Sequence, residues 1–331
     1  MKIKTTSPKR VICVGLGPIG RETCKLILKN PLLRLVGLVD KDPRKIGKDL
    51  GFGTRIEDSV QDCARRVRPD IAFLTTASRF GMVMEDIQNL VRMGVDVVSS
   101  CEELSFPWLV AGKAADRLDG FVRKNKRRVL GTGVNPGFVM DALALMLANV
   151  CQKVHSIKVR RVVDVAKRRL PLQRKMSVGL SRRAFQQKLL EGTTGHVGLK
   201  ESLALIGAGM GWKLRLEEKI RPLYAKRPMK TRHFSIRSGQ VIGIEQIAKG
   251  TENGKVKAIL ELTMRLGEKE PADEVWIGGI PPVRMKISPG VQGDLATASC
   301  LINAALKLEQ APHGLLTVND LSVARKTRAH A

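Results

Sequence analysis

The sequence has few aromatic residues and no long apolar run. Only twelve of its 331 residues are Phe, Trp or Tyr. No apolar stretch approaches the roughly 18 residues of a membrane-spanning helix. Its six cysteines lack CxxC spacing, which offers no zinc site and suits reduced thiols. The first apolar stretch runs into a glycine motif, as a first strand does and a signal peptide does not. We therefore expect a cytoplasmic protein with no membrane span and no bound metal.

Acidic residues are also in short supply. The chain has 58 Lys and Arg against 31 Asp and Glu, a formal net charge of +27. Lys158 to Arg232 alone contains 20 basic and 5 acidic residues. A basic surface can attract nucleic acid, anionic lipid or an anionic small molecule. Because the basic residues are dispersed and no zinc-finger or aromatic RNA-binding pattern occurs, we expect a solvated basic surface and no nucleic-acid partner.

Short apolar strands alternate with helical patterns over the first 135 residues. Strands are predicted near residues 10–17, 33–39, 70–76, 95–99 and 129–132. Strands separated by helices of this length favour a doubly wound parallel sheet. A late helix with Leu295, Ala298 and Ile302 on one face, capped by Asp294, is expected to pack back on this domain. The first domain is thus predicted to comprise residues 1–135 plus 293–331.

A second α+β domain is predicted over residues 136–292, built on a mostly antiparallel sheet. Asn253-Gly254 predicts a hairpin turn, and strict alternation follows it. One face of that strand carries Val256, Ala258, Leu260, Leu262, Met264 and Leu266. This apolar face must be covered by helices or by a second subunit. Because the sequence shows no obvious helix to cover this face, we predict that a second subunit covers it and that the protein is a homodimer.

Gly15-Leu16-Gly17-Pro18-Ile19-Gly20 is a GxGxxG motif between a predicted strand and helix. The first glycine permits the turn, the second lets a pyrophosphate approach, and the third lets helix and strand pack closely. Asp40 follows Gly20 by 20 residues, where an acid binds the adenosine ribose. The spacing predicts a Rossmann-type domain that binds NAD through these residues. Lys41 and Arg44 leave NADP possible.

Ligands of such sheets bind outside the carboxyl ends of the strands. Thr75, Thr76 and Asn135 lie at such ends and are predicted to contact the cofactor. Another strand ends in Ser100-Cys101-Glu102-Glu103. Ser100 and Glu103 have capping-box spacing, so Glu103 could tie down a helix start, which favours Glu102 as the catalytic carboxylate. Cys101 is not expected to be a thiol nucleophile, because no His that could activate it lies nearby in sequence.

The second domain offers substrate-binding candidates. Arg161 falls on an apolar strand face, where its guanidinium needs either a protein carboxylate or a substrate carboxylate. Gln173 lies in Pro171–Lys175, which we interpret as an irregular polar insert lining the same cleft. His196 sits among glycines just ahead of a helix, as a pocket residue would.

Several stretches of the sequence carry a family resemblance that runs nearly end to end. They are GLGPIGRE, SSCEELSFPW, GVNPGFVMD, EGTTGHVGLKES and GVQGDLATASCLINAAL. With them the chain resembles 2,4-diaminopentanoate dehydrogenase and the native NAD(P)-dependent amine dehydrogenases. The cofactor half also resembles dihydrodipicolinate reductase, but the paired histidine and PSGTA-like loop of that enzyme are absent. The resemblance implies a homodimer, Glu102 as the catalytic carboxylate, and Arg161 and His196 in the substrate pocket.

The implied reaction is oxidative deamination of an amine or diamino acid to a ketone plus ammonia, with reductive amination in reverse. Three other interpretations stay open. One is a 4-hydroxytetrahydrodipicolinate reductase-like imine reductase, and another is a dehydrogenase of a different diamino acid. The third is a basic NAD-binding regulator that contacts nucleic acid.

Overall fold

The computed structural model describes residues 7–321. The strands are β1 (Lys9–Val14), β2 (Leu33–Val39), β3 (Ile56–Glu57), β4 (Ile71–Leu74), β5 (Asp96–Ser99), β6 (Arg128–Gly131), β7 (Lys153–Asp164), β8 (Arg215–Tyr224), β9 (Met229–Lys230), β10 (Ser235–Ile236), β11 (Val241–Glu252), β12 (Lys255–Arg265), β13 (Ala272–Ile280), β14 (Val283–Ile287) and β15 (Gly314–Leu316). The helices are α1 (Pro18–Leu28), α2 (Val60–Val67), α3 (Phe80–Arg92), α4 (Trp108–Lys124), α5 (Ala142–Ala148), α6 (Leu170–Lys175), α7 (Arg182–Leu190), α8 (Leu199–Met210) and α9 (Gly293–Ala305).

The chain divides into two compact units. Unit 1 runs to Phe138 and resumes at Gln292, and unit 2 is Val139–Val291. The end of the predicted first domain, residues 322–331, lies outside the described residues. None of the helices in the described part of the chain has the length and apolarity needed to cross a bilayer.

Unit 1 is built on a parallel sheet of strand order β15-β6-β5-β4-β1-β2-β3. Its central strands are mostly apolar because both faces of the sheet are covered. Apolar residues of α2, α3 and α4 form the core on one face, and residues of α1 and α9 form the core on the other. The predicted doubly wound sheet is confirmed.

The helix predicted after residue 293 is α9, and it packs against α1 within unit 1 as expected. Its cap differs from the prediction. Gln292 occupies the N-cap position, and Asp294 lies inside the first turn. A carboxylate there still interacts favourably with the helix dipole.

Unit 2 contains a six-stranded sheet of order β14-β13-β7-β12-β11-β8 and a small β9–β10 ribbon. All pairings in the large sheet are antiparallel except β7 with β12, which is parallel. A parallel pair needs a long crossover, and the chain between these strands supplies one through α6, α7 and α8. The mostly antiparallel sheet is confirmed, and the parallel pair is an addition that the alternation did not reveal.

The apolar face of β12 is covered by helices of the same chain. Ala258, Leu260 and Leu262 are at most 1% exposed, whereas Val256, next to the hairpin turn, is 45% exposed. α5 packs on β7 and β13, and α8 packs on β8, β11 and β12. The prediction that a second subunit covers this face is wrong, because helices of the same chain cover it, and the face therefore supplies no reason for a dimer.

The hairpin predicted at Asn253-Gly254 joins β11 to β12. Both residues have positive φ, at 50° and 74°, and Glu252 pairs with Lys255 across the turn. Positive φ at both central positions is the geometry that matches the twist of a two-residue hairpin. This prediction is confirmed.

Candidate functional site

The three motif glycines occupy backbone positions where a side chain is excluded or where space is open. Gly15 has φ +88°, and a Cβ there would lie 2.9 Å from the Thr75 carbonyl. A Cβ on Gly20 would lie 1.9 Å from the Gly15 carbonyl oxygen. A Cβ on Gly17 would meet nothing within 4 Å. The tight turn, the close helix contact and the open approach expected for a pyrophosphate are therefore all present.

The N-terminus of α1 follows the same loop. Gly17 is its N-cap, Pro18 is its first residue and Ile19 its second. No side chain caps this terminus, and its first turn holds no acidic residue. Free backbone N–H groups and the positive end of the helix dipole suit an anion, so these residues fit the diphosphate of a dinucleotide.

The end of β4 supports the glycine loop. The Thr75 hydroxyl donates to the Gly15 carbonyl oxygen at 2.6 Å, and Thr76 beside it is exposed. Strand order reverses between β1 and β4, because β2 lies on one side and β5 on the other. This is the switch point at which such sheets bind ligands.

Asp40 directly follows β2 and makes several hydrogen bonds. Its Oδ2 accepts from the Leu16 N–H and from Lys45 Nζ, both at 2.7 Å, and its Oδ1 accepts from the Asp42 N–H at 2.8 Å. Burial opposes ionisation, but the Lys45 hydrogen bond and the two backbone donors outweigh it, so the pKa of Asp40 is lowered. The carboxylate that is predicted to bind ribose also shapes the glycine loop.

The two cations predicted to allow NADP are placed differently. Arg44 donates through Nε and Nη2 to both carboxylate oxygens of Asp42, each at 2.9 Å. That bidentate pair lowers the pKa of Asp42 to about 2. Lys41 is exposed. Lys45, which the sequence did not single out, is the cation at Asp40.

Glu103 is a structural carboxylate. It is 7% exposed, and it accepts from the Phe80 N–H at 2.8 Å and from Arg79 Nη1 at 2.6 Å. Its own N–H donates to the Ser78 carbonyl at 3.2 Å. We call this set of bonds the Glu103 clamp. The capping box with Ser100 is wrong, because Glu103 ties down the start of α3, a helix that precedes it in sequence.

Glu102 and Cys101 lie between the end of β5 and a single 3₁₀ turn at Glu103–Ser105. Glu102 is half-buried, and its carbonyl accepts from the Ser105 N–H at 3.1 Å. Cys101 is 1% exposed, and burial raises the pKa of its thiol to about 12. A thiol that is this hard to ionise is a poor nucleophile.

The end of β6 adds a further predicted residue. Asn135 is 8% exposed and follows this strand. The Thr132 N–H donates to the Ser99 carbonyl at 2.8 Å, which joins the ends of β6 and β5. Since β1, β4, β5 and β6 are parallel neighbours, unit 1 brings the glycine loop, Thr75, Glu102 and Asn135 to one edge of the sheet.

Arg161 is paired within the sheet of unit 2. The side chain is 6% exposed. Its Nη1 donates to both carboxylate oxygens of Asp273 at 2.9 Å, and its Nη2 donates to the Val291 carbonyl at 2.6 Å. Burial lowers the pKa of Arg161 and raises that of Asp273, and the attraction between them opposes both shifts. Of the two anions that the sequence left open, the protein carboxylate is the one observed.

Gln173 lies in α6, so the interpretation of Pro171–Lys175 as irregular is wrong. Its Nε2 donates to the Arg168 carbonyl at 2.7 Å. Its Oε1 is buried and accepts no hydrogen bond from any residue in the described range. A buried unpaired acceptor is uncommon and calls for an explanation.

His196 lies in the loop ahead of α8 and is held by a residue that the sequence did not single out. Gln246, 1% exposed on β11, accepts from the His196 N–H and donates to the His196 carbonyl, both at 2.8 Å. The sequence signal for Gln246 was an amide at an inward position, between Ile244 and Ala248. The loop also meets the end of α6, since the Thr194 hydroxyl donates to the Lys175 carbonyl at 3.3 Å. Unit 2 thus links the segments of Gln173 and His196.

The fold and the glycine loop together define a Rossmann-type, nicotinamide-dependent oxidoreductase, and comparison with known proteins gives the family. A family model for the 2,4-diaminopentanoate dehydrogenase C-terminal domain matches residues 138–330. The 2,4-diaminopentanoate dehydrogenase of Acetoanaerobium sticklandii is 29% identical over 96% of this chain and 94% of its own. The chain belongs to the 2,4-diaminopentanoate dehydrogenase family. It is an NAD(P)-dependent oxidoreductase that acts on CH–NH2 groups.

Two solved structures share the fold. An amine dehydrogenase from Mycobacterium smegmatis superposes with a TM-score of 0.85 at 20% identity, covering 96% of this chain and 97% of that one. A scyllo-inositol dehydrogenase from Lactobacillus casei, solved with NAD(H) and scyllo-inositol, gives a TM-score of 0.57 at 13% identity over 96% and 92%. The second is a chain of this fold that was solved with its cofactor bound.

Proposed function

We propose that the protein oxidatively deaminates an amine or diamino acid, similar to 2,4-diaminopentanoate, to a ketone and ammonia, and catalyses reductive amination in reverse. The observation that supports this proposal is that two adjacent carboxylates lie in different surroundings. Glu103 is committed to the start of α3, and Glu102 lies half-buried at the end of β5 beside the switch point. The catalytic role is therefore assigned to Glu102.

The chemistry calls for a carboxylate at this place. The nicotinamide, when bound, accepts hydride from the carbon that bears the amine. The substrate becomes an iminium cation, which a nearby Glu102 carboxylate stabilises. The same carboxylate can take a proton from the water that attacks the iminium and return it as ammonia leaves. In the reverse direction it serves ammonia addition to the ketone.

Gln173 and His196 are proposed to bind the substrate from unit 2. The unpaired Gln173 Oε1 can accept a hydrogen bond from an amine or ammonium, which would satisfy a buried acceptor. Gln246 fixes the backbone that carries His196. Arg161 is not proposed as a direct contact, because its guanidinium is bonded to Asp273 and Val291.

The decisive test is NADH formation at alkaline pH with a panel of amines and diamino acids. Turnover of amines, with ketone and ammonia as products, supports the proposal. Preference for a different diamino acid, or activity only with 4-hydroxytetrahydrodipicolinate, would select one of the alternative enzymes. NADH binding without turnover of any substrate, together with salt-dependent retention on DNA, would favour the regulator.

We also propose a cytoplasmic homodimer formed through the sheet face of unit 2 that faces away from α5 and α8. This face alternates charges of both signs. Lys158 pairs with Glu261 at 2.8 Å, and Arg160 lies 3.7 Å from Glu274. Interspersed charges of opposite sign suit self-association about a two-fold axis. Sedimentation at micromolar concentration should give twice the chain mass of 36.4 kDa; a monomer would contradict it.

A further inference from the structure

The carboxylate at the end of β2 shares its position with a lysine. Asp40 Oδ2 lies 2.7 Å from Lys45 Nζ, and the side chains are 11% and 20% exposed. A turn places the lysine, since the Lys45 N–H donates to the Asp42 carbonyl at 2.9 Å. An Asp at this point of a dinucleotide-binding fold hydrogen-bonds the adenosine 2′-hydroxyl. If Asp40 binds the ribose in this way, the ammonium of Lys45 would lie beside the 2′ position that distinguishes NAD from NADP.

Lys45 Nζ has more N–H donors than its bond to Asp40 uses. An ammonium carries three N–H donors, and within residues 7–321 Asp40 is the only hydrogen-bond acceptor of Lys45 Nζ. Asp42 Oδ2, at 3.9 Å, is an ion-pair neighbour beyond hydrogen-bonding distance. Arg44 next to it is bound in a bidentate pair with Asp42. Lys45 is thus the cation of this turn that is both held at Asp40 and able to bond further.

We propose that Lys45 forms a 2′-phosphate subsite, which lets the protein use NADP as well as NAD although an Asp ends β2. With NAD, Asp40 accepts the 2′-hydroxyl and Lys45 keeps its ion pair. With NADP, Lys45 donates to the phosphate oxygens and offsets the repulsion from Asp40. This rests on the nicotinamide cofactor of the proposed function and not on which amine is oxidised.

The test measures the affinities for NADH and NADPH in the absence of any amine, with nucleotide fluorescence as the signal. The salt concentration is about 0.15 M, at which long-range charge effects are screened. Lys45→Met should weaken NADPH binding about tenfold or more, the loss of one charge-assisted contact, and leave NADH nearly unchanged. Lys45→Arg should keep NADPH binding. Lys41→Met, which removes an exposed charge from the same turn, should leave both affinities nearly unchanged.

A double-mutant cycle separates direct contact from simple charge compensation. Asp40→Asn removes the repulsion and keeps a carbonyl oxygen for the Leu16 N–H. If Lys45 contacts the phosphate, Lys45→Met still weakens NADPH binding in the Asp40→Asn background, and adenosine 2′,5′-bisphosphate loses affinity in the same ratio. If Lys45 only neutralises Asp40, the loss disappears in that background and the subsite is overturned.

Two further outcomes would overturn the subsite, and a third would contradict only the proposed function. A wild-type protein that does not bind NADPH, or a Lys45→Met protein that loses both cofactors equally, overturns the subsite. A protein that binds both cofactors as described but oxidises no amine leaves the subsite standing and contradicts the proposed function.

Discussion

The polar residues described above follow the strands in the sheet of unit 1 but lie inside the strands in the sheet of unit 2. In unit 1 the polar residues of interest follow the strands: Asp40 after β2, Thr75 after β4 and Glu102 after β5. In unit 2 they lie within strands and are buried, as Arg161 is on β7 and Gln246 on β11. A strand end can serve a ligand, whereas a buried polar group inside a strand must find its partner in the protein.

This difference teaches how to interpret a charge in a strand pattern. Arg161 finds Asp273 on the adjacent strand, directly opposite in register, and Gln246 finds the His196 backbone and Glu218. In unit 1 the Glu103 clamp shows that a strand-end carboxylate can also be structural.

The largest expected effect is on catalysis at the end of β5. Glu102→Gln should lower turnover about 10² to 10⁴-fold, because the amide cannot neutralise an iminium or relay a proton. NADH affinity and melting temperature should hold, since the side chain stays polar and near-isosteric. Steady-state rates, fluorescence titration and thermal melts check this. An active Glu102→Gln protein would mean that strand-end position does not mark the catalytic group here.

The next effect is on stability in unit 2. Asp273→Ala leaves the Arg161 guanidinium buried without its carboxylate, which should cost about 3–5 kcal/mol in urea unfolding. Glu274→Gln is the matched control, because its partners Arg160 and Arg284 are at least half exposed and lie 3.7 Å away. It should cost about 1 kcal/mol or less. Equal costs for the two would erase the distinction between buried and surface pairs.

A smaller effect is expected from the Glu103 clamp. Glu103→Gln keeps one oxygen for the Phe80 N–H but loses the ion pair with Arg79, so it should cost about 1 kcal/mol of stability. Turnover should stay near the wild-type rate. Comparing it with Glu102→Gln tests function against structure within one dipeptide. If Glu103→Gln is the inactive variant, the catalytic assignment belongs one residue later.

The smallest effect concerns Cys101. Because burial raises the pKa of its thiol to about 12, Cys101→Ala should leave turnover unchanged, and iodoacetamide at pH 8 should label this thiol far more slowly than a free cysteine. Mass spectrometry of the labelled peptide measures the rate. Loss of activity in step with alkylation of Cys101 would contradict an inert thiol.

Local patterns predicted unit 1 well. The GxGxxG spacing and the apolar runs gave the switch point, and β2 has the predicted bounds of Leu33–Val39. These features depend on residues close in sequence. The Glu103 clamp could not be predicted, because its partners belong to a helix that begins 23 residues earlier and only the fold brings them together.

Unit 2 was harder because its decisive contacts span long stretches of chain. Arg161 and Asp273 are 112 residues apart, and alternation in β7 could not reveal that β12 would pair with it in parallel. The turn at Asn253-Gly254 was predictable, since its two residues determine its geometry. Lys45 was missed for a different reason: a lysine in a surface turn carries no pattern, and its meaning comes from the carboxylate it reaches.

The interruption of unit 1 by unit 2 has a consequence for synthesis on the ribosome. α9 and β15, which complete the first sheet, are made only after all of unit 2. Until residue 292 and its successors emerge, the face of the sheet that α9 shares with α1 lacks Leu301 and Ile302 of its core. A nascent chain that ends within unit 2 therefore carries a sheet with an uncovered apolar face, the kind of surface that chaperones bind. Protection of this region from proteolysis should rise only when α9 and β15 have left the exit tunnel.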